Sequence, residues 1–321
     1  VELEILATES LGVRGMCCFV TAGDRRILID PGIALGYWRH HLLPHPCQIA
    51  VGVKIREVII GALKSATEIV FSHFHGDHVP LLRANPYQLA FRQLPPHFGQ
   101  LPCWSKSRDS LSSHMIQRAE DLEELLGPNM KVAENLSVGP LSFSQSVPHG
   151  APDGRFGTVM MTRVAMQGQV FVHASDIQLL DDAAVDTILA WEPDIVFTAG
   201  PPLYIEMLDD RLKDRAWENG LRLAKNVSTL IVDHHLLRSR QGGNWLHRLS
   251  ETLGKKVYCA ADFMHQPRRL LEARREELYA ALPVPPHWHE EYEKGRIAVL
   301  ADFDSCDVLL EQLSSNDDFP A

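Results

Sequence analysis

The stretch Ser72-His73-Phe74-His75-Gly76-Asp77-His78 packs three imidazoles and a carboxylate into seven residues, directly after the β-prone run Glu68-Ile69-Val70-Phe71. Such a run predicts a short strand, so the cluster falls where that strand ends. Residues i and i+2 of an extended chain share a face, and His73 and His75 therefore offer two imidazoles to one cation. Asp77 and His78 follow where the chain is expected to turn into a helix over 77–83. They point elsewhere and suit a second cation. One zinc needs three protein ligands plus water, and a pair needs more than this cluster offers, so the fold must bring further ligands to it.

Ligand-type residues do end other predicted strands. Asp30 closes the strand Ile27-Leu28-Ile29, His149 follows Phe143–Val147, Asp176 ends the run Val170–Ser175, and His234 with His235 comes after Thr229–Val232 and Asp233. A sheet presents such positions to one crevice at the carboxyl ends of its strands. The amino-terminal segments ELEILA, MCCFVTA and RRILID read as a meander, followed by a helix on which Ile55, Val58, Ile59, Ala62 and Leu63 share a face. The second half repeats this plan: strands at PLSFSQSV, GTVMMTRVA and QVFVHAS, then helices near LLDDAAVDTILAW and Met207–Lys225 alternating with strands PDIVFTA and STLIV. The expected fold is α/β, two mixed sheets packed together with helices outside. No linker divides the 321 residues, which read as one domain, 1–321. An irregular insertion at 31–53, PGIALGYWRHHLLPHPCQIAVGV, reads as a lid, and a helical carboxy-terminal extension begins after about residue 260.

These motifs, in this order, make the chain resemble the metallo-β-lactamase superfamily and its αββα sandwich. LGVRGMCCFV and HASDIQ also resemble an uncharacterised prokaryotic branch of predicted metal-dependent hydrolases, for which no substrate is implied. The resemblance spans roughly residues 3 to 260. It implies one metal on His73, His75 and His149 and another on Asp77, His78 and His234, with Asp176 and a hydroxide bridging them. Asp30 would orient ligands from behind. Asp77, Asp176 and Asp30 are thus the implied catalytic carboxylates. His235 has a reach similar to that of His234, and whichever is not the ligand is expected to face substrate. The implied cofactors are two Zn2+, with Mn2+, Fe2+ or Ni2+ as other metals such ligands accept.

A hydrolase follows, because two cations about 3.5 to 4 Å apart make water a nucleophile near neutral pH. No GxSxG, Walker or dinucleotide motif competes with it. Related diiron proteins carry a glutamate where His75 stands, which favours zinc-type hydrolysis over redox chemistry. Arg14, Arg39 and neighbouring histidines favour a phosphodiester or nucleotide; an ester, thioester or lactone is the alternative, and a metal-bound sensor without turnover the third class. A net charge of −10, from 41 acidic and 31 basic residues, disfavours long nucleic acid, so the expected partner is a small or short anionic substrate. The amino terminus does not read as a signal peptide and no segment has the length of a membrane span, so the expected compartment is the cytoplasm. The six cysteines lack CxxC spacing and read as reduced. His114 and His173 read as structural, His287 and His289 as part of a surface turn, and the run from Arg268, RRLLEARREEL, as a charged helix with a solvated face.

Overall fold

Alternating apolar residues at the amino terminus build an antiparallel meander of β1 (Glu2–Ala7), β2 (Cys17–Ala22) and β3 (Arg25–Ile29). The structure, a computed structural model, describes residues 2–109, 111–151, 157–299 and 306. From β3 the chain crosses through α1 (Pro46–Ser65) to β4 (Glu68–Phe71), then β5 (Cys103–Ser105), α2 (Ser113–Leu126) and β6 (Met130–Val132), with β3 to β6 all parallel. Every residue of β4 is buried, as a parallel strand covered on both faces requires. The second sheet repeats the plan. β7 (Ser137–Val138), β8 (Leu141–Pro148), β9 (Thr158–Met166) and β10 (Gln169–His173) are antiparallel, and β10, β11 (Ile195–Thr198) and β12 (Thr229–Val232) are parallel.

The Met160 amide on β9 donates to the Ser72 carbonyl just past β4 at 2.9 Å, which ties the two sheets together. Outside them, α1 lies on β1 and β3, α3 (Asp182–Leu189) on β8, and α4 (Asp210–Asn226) on β12 and α5 (Arg240–Leu253). The expected αββα sandwich of two mixed sheets is therefore what forms. Its topology also explains the crevice. β8 and β10 are both antiparallel to β9, so they run the same way as β11 and β12; β3 and β4 likewise run together. Every strand that a candidate ligand follows thus ends at a shared edge.

Several expectations change. Helix α1 starts at Pro46, because His45 accepts the Cys47 amide and proline favours a first helical position; the insertion is residues 31–45, not 31–53. Its core is pinned: Arg275 donates to the Leu42 carbonyl at 3.0 Å and Tyr279 to that of Leu43 at 3.2 Å. No helix forms over 77–83, where Pro80 lacks an amide and the chain turns to pair Leu81 with Ala90. The basic run from Arg268 is not a solvated face. Glu272, Arg274 and Arg275 are buried, and only Arg275–Ala281 is helical (α7, after the short α6 at Ala260–Phe263). Nor are all cysteines reduced: Cys47 and Cys306, 259 positions apart, form a disulfide across a Cα separation of 5.3 Å, while Cys17, Cys18, Cys103 and Cys259 are free and buried. That pairing joins Cys306 to the first turn of α1, which no local spacing encodes. Among the described residues no helix is long and apolar enough to cross a membrane.

Candidate metal centre

Asp176, just past β10 and 1 % exposed, is the pivot. Its Oδ2 lies 2.6 Å from His149 Nε2, 3.3 Å from His73 Nε2 and 3.6 Å from His75 Nδ1. Its Oδ1 lies 3.0 Å from His78 Nε2 and 3.4 Å from His234 Nε2, and the latter nitrogen is 3.5 Å from Asp77 Oδ2. By these distances the two carboxylate oxygens face different ligand sets, His73, His75 and His149 on one side and Asp77, His78 and His234 on the other, although His78 also lies close to His73 and Asp30, and His234 to His235 and Asp176. His235 joins the first side, with Nε2 3.4 Å from Asp176 Oδ2. The adjacent histidines therefore divide between the two oxygens, and it is His234 that shares a group with Asp77 and His78.

The donors fit a divalent cation. His78 Nε2 and Asp176 Oδ1 are buried and only 3.0 Å apart, yet neither makes a well-aligned hydrogen bond, an arrangement costly without a bound charge. Asp30 supports the site from behind, with Oδ2 2.9 Å from His78 Nδ1 while it accepts from the Ser72 amide and hydroxyl at 2.8 and 2.6 Å and from the Ser175 hydroxyl at 3.0 Å. A carboxylate on Nδ1 fixes the tautomer that leaves Nε2 free to bind metal.

Backbone strain accompanies this precision. Asp30 (φ 49°), Ser175 (φ 46°) and His234 (φ 22°) all leave their strands with positive φ, which surrounding contacts must hold. For His234 the holder is Asp233, whose Oδ1 accepts from its amide at 2.9 Å, the Ser10 amide at 2.9 Å and the Thr8 hydroxyl at 3.0 Å, while Oδ2 accepts from the Ala260 amide at 2.8 Å. Gly32 has a steric role. A Cβ there would sit 2.3 Å from the His78 backbone, so only glycine lets the β3 loop press on the histidine motif.

Electrostatics keep most of the donors in binding form. Burial, then the neighbouring His78 and His75, push His73 down to about 3; burial, then Arg238, do the same for His235, and burial also lowers His149. Burial would raise Asp176, but the surrounding histidines outweigh it and hold the carboxyl well below its usual range. His78 is the exception: burial is outweighed by Asp176 and Asp30, which drive it well above the usual imidazole value. The same two carboxylates would favour a cation beside His78, and metal binding there would require the neutral imidazole.

Sequence reasoning missed the arginine that reaches the centre. Arg238, 6 % exposed, donates through Nε to Glu9 Oε1 at 2.6 Å, and its Nη2 lies 2.8 Å from His234 Nε2 and 3.6 Å from Asp77 Oδ2. Its Nη1 donates to the Tyr204 hydroxyl at 3.3 Å, which is also 3.3 Å from His235 Nδ1. Arg14 instead forms a two-point ion pair with Glu272, at 2.7 and 2.5 Å, so its charge is already matched. The only sequence cue to Arg238 was its place one helical turn after His234. His173 donates through Nε2 to the Met16 carbonyl at 2.8 Å and belongs to none of the ligand groups.

The chain is 47% identical over 298 residues to a UPF0282 protein of Methanosarcina mazei, covering 93% of this chain and 98% of that one. It is 31% identical over 288 residues to a UPF0282 protein of Thermococcus gammatolerans, covering 85% and 93%. Among solved structures it is similar to the metallo-β-lactamase fold protein YhfI from Bacillus subtilis, at 14% identity and a TM-score of 0.49, covering 80% of this chain and 95% of that one. No family model matches the chain.

Proposed function

The chain belongs to the UPF0282 family, and from that premise we propose that it is a dinuclear metal-dependent hydrolase of small anionic substrates, phosphodiesters or nucleotides foremost. The observation that carries the reading is Asp176, whose Oδ2 faces His73, His75 and His149 while Oδ1 faces His78 and His234. A carboxylate so flanked suits a bridge between two cations. When bound, such cations make water nucleophilic near neutral pH and polarise the bond it attacks; zinc is the first choice for imidazole-rich donors, with manganese, iron and nickel also compatible.

The remaining work falls to the chain's own residues. Asp30 and Ser72 hold the rings of His78 and His73, since the Ser72 hydroxyl is 2.9 Å from His73 Nδ1. Arg238 sits at the Asp77 and His234 side, where its N–H groups suit an anionic oxygen of substrate. His235, braced by Tyr204, faces the opposite side and is positioned to meet the leaving group. Although Glu9 pairs with its Nε, Arg238 keeps Nη1 and Nη2 at the centre, which favours anionic substrates over neutral esters or lactones.

The test is a panel of bis(p-nitrophenyl) phosphate, a thioester and a homoserine lactone, assayed on wild-type and His75→Ala protein. The reading expects phosphodiester cleavage at least tenfold above the other two, abolished by His75→Ala. Turnover confined to the lactone or thioester would refute the substrate class. A metal-loaded protein inert to all three would refute the enzyme.

A further inference from the structure

Nδ1 of His149 meets the side-chain amide of Gln178 at 3.1 Å, while Nε2 of the same ring lies 2.6 Å from Asp176 Oδ2. Asp176 and Gln178, two residues apart on the turn that follows β10, thus take the imidazole at both nitrogens. We propose that Gln178 is a positioning residue for the metal centre: the orientation of its amide sets which nitrogen of His149 carries the proton, and so whether Nε2 is free for a cation.

A neutral imidazole carries one N–H, so one ring nitrogen donates and the other accepts. With the amide nitrogen of Gln178 turned to Nδ1, that ring nitrogen accepts, and the proton sits on Nε2, which donates it to Asp176. A half-turn of the amide exchanges its nitrogen and oxygen. Nδ1–H then donates to Gln178 Oε1, and Nε2 presents a lone pair beside Asp176, the form a metal ligand requires. His78 has no such choice, because the Asp30 carboxylate at its Nδ1 only accepts. An amide can serve either form of the ring, which makes His149 the ligand whose readiness depends on its partner's orientation.

The turn is built to keep Gln178 on that ring. The residue is 3 % exposed, and its backbone amide donates to the His149 carbonyl at 3.2 Å. On one side, the Ile177 carbonyl accepts from the Thr198 hydroxyl at 2.8 Å and the Gly200 amide at 3.1 Å; on the other, the Leu179 carbonyl accepts from Asn219 on α4 at 3.0 Å. Gly150 leaves room for the side chain beside the imidazole, since a Cβ there would sit 2.6 Å from Gln178 Oε1. The segment HASDIQ, residues 173–178, thereby gains a task for each polar residue past the strand: Ser175 donates to Asp30, Asp176 faces the ligands, and Gln178 holds His149.

This role rests on the metal-dependent reading of the centre, and the experiment separates the two. Zinc affinity is measured by competition with a chromophoric chelator for wild type, Gln178→Leu and Gln178→Glu, each verified as folded by circular dichroism. One zinc ion is expected to be held about 10- to 100-fold more weakly in Gln178→Leu, which offers Nδ1 no acceptor. In Gln178→Glu, which offers only acceptors, it is expected to be held at least as tightly as in wild type. Equal affinity in wild type and Gln178→Leu overturns the role, and so does a glutamate variant as weak as the leucine one, which is the result of packing alone. A second readout needs no substitution. With 15N-labelled histidine, at least one ring of the chelated wild-type protein is expected to move its proton from Nε2 to Nδ1 when zinc is added, and one fewer ring to do so in Gln178→Glu. A wild type in which no ring changes tautomer overturns the role even where the variants fail to fold. Wild-type protein that binds no zinc removes the hydrolase reading and this role together, whereas zinc bound equally by wild type and Gln178→Leu removes the role alone.

Discussion

Replacing Asp233 with alanine is expected to damage both the fold and the metal centre, although Asp233 faces no cation. Its carboxylate gathers four donors from three parts of the chain: the Thr8 hydroxyl and the amides of Ser10, His234 and Ala260. Thr8, Ser10, His234 and Ala260 are each 0 % exposed, so no water replaces the lost acceptor. Each buried donor left unpaired costs about 1 to 3 kcal/mol. Three orphaned amides, with some relaxation, put the loss for Asp233→Ala at roughly 3 to 6 kcal/mol. Burial pushes the Asp233 carboxyl up despite these donors, so the charge itself is not the stabilising element. Asp233→Asn keeps one oxygen but turns an amide toward a donor, at a cost of roughly 1 to 3 kcal/mol. Urea unfolding of metal-free protein measures both. Because the His234 backbone (φ 22°) is held by this carboxylate, Asp233→Ala is also expected to weaken binding of one metal by about 10- to 100-fold. A stability loss below about 1 kcal/mol for the alanine variant, with metal affinity unchanged, refutes the reasoning.

Other outcomes are equally specific. Burial would raise Glu272, but Arg14 beside it lowers the carboxyl to about 2. A depressed acid stabilises the fold above its unfolded value, so the advantage of wild type over Glu272→Gln is expected to be roughly 3 kcal/mol at pH 6 and to vanish as pH falls from about 4.5 to about 2; a difference that does not change with pH contradicts this. His40→Asn with His41→Gly relieves two left-handed residues and is expected to raise stability by about 1 kcal/mol, seen as a melting temperature higher by about 2 °C; a lower melting temperature counts against the strained turn. Gly32→Ala forces a Cβ to within 2.3 Å of the His78 backbone, and metal content is expected to fall well below that of wild type; full occupancy means the loops are not pressed together. Alkylation of denatured, unreduced protein is expected to label four of the six cysteines, in keeping with the Cys47–Cys306 bridge; six labels remove it.

The candidate ligands were legible in the sequence because each sits just past a β-rich run, and strand ends at a sheet edge converge whatever lies between. Asp30, His149 and Asp176 needed only that regularity, whereas the choice of His234 over His235 came from the family resemblance. Arg238, Glu9, Tyr204 and Asp233 were not legible, because their roles arise from contacts such as Arg238 to Glu9, 229 positions apart. A buried arginine in sequence resembles a surface one: nothing local distinguished Arg238 from Arg14, the arginine the sequence offered, which pairs with Glu272. The same cause hid the burial of the run from Arg268, in which Glu272 pairs with Arg14, 258 positions away, and Arg275 donates to Gln48, 227 positions away. Strands as short as β5, β6 and β7, of two or three residues, carry too little pattern to be seen alone. The His40–His41 turn was invisible because its residues contradict the usual preference for such a turn.

The central claim is that Asp176 bridges two cations. It is tested most directly by the zinc content of reconstituted wild-type and Asp176→Ala protein, measured by inductively coupled plasma mass spectrometry after exhaustive desalting. Two zinc ions per wild-type chain, and at most one in the variant, are what the geometry predicts. A wild-type chain that retains none, or a variant that still holds two, contradicts it.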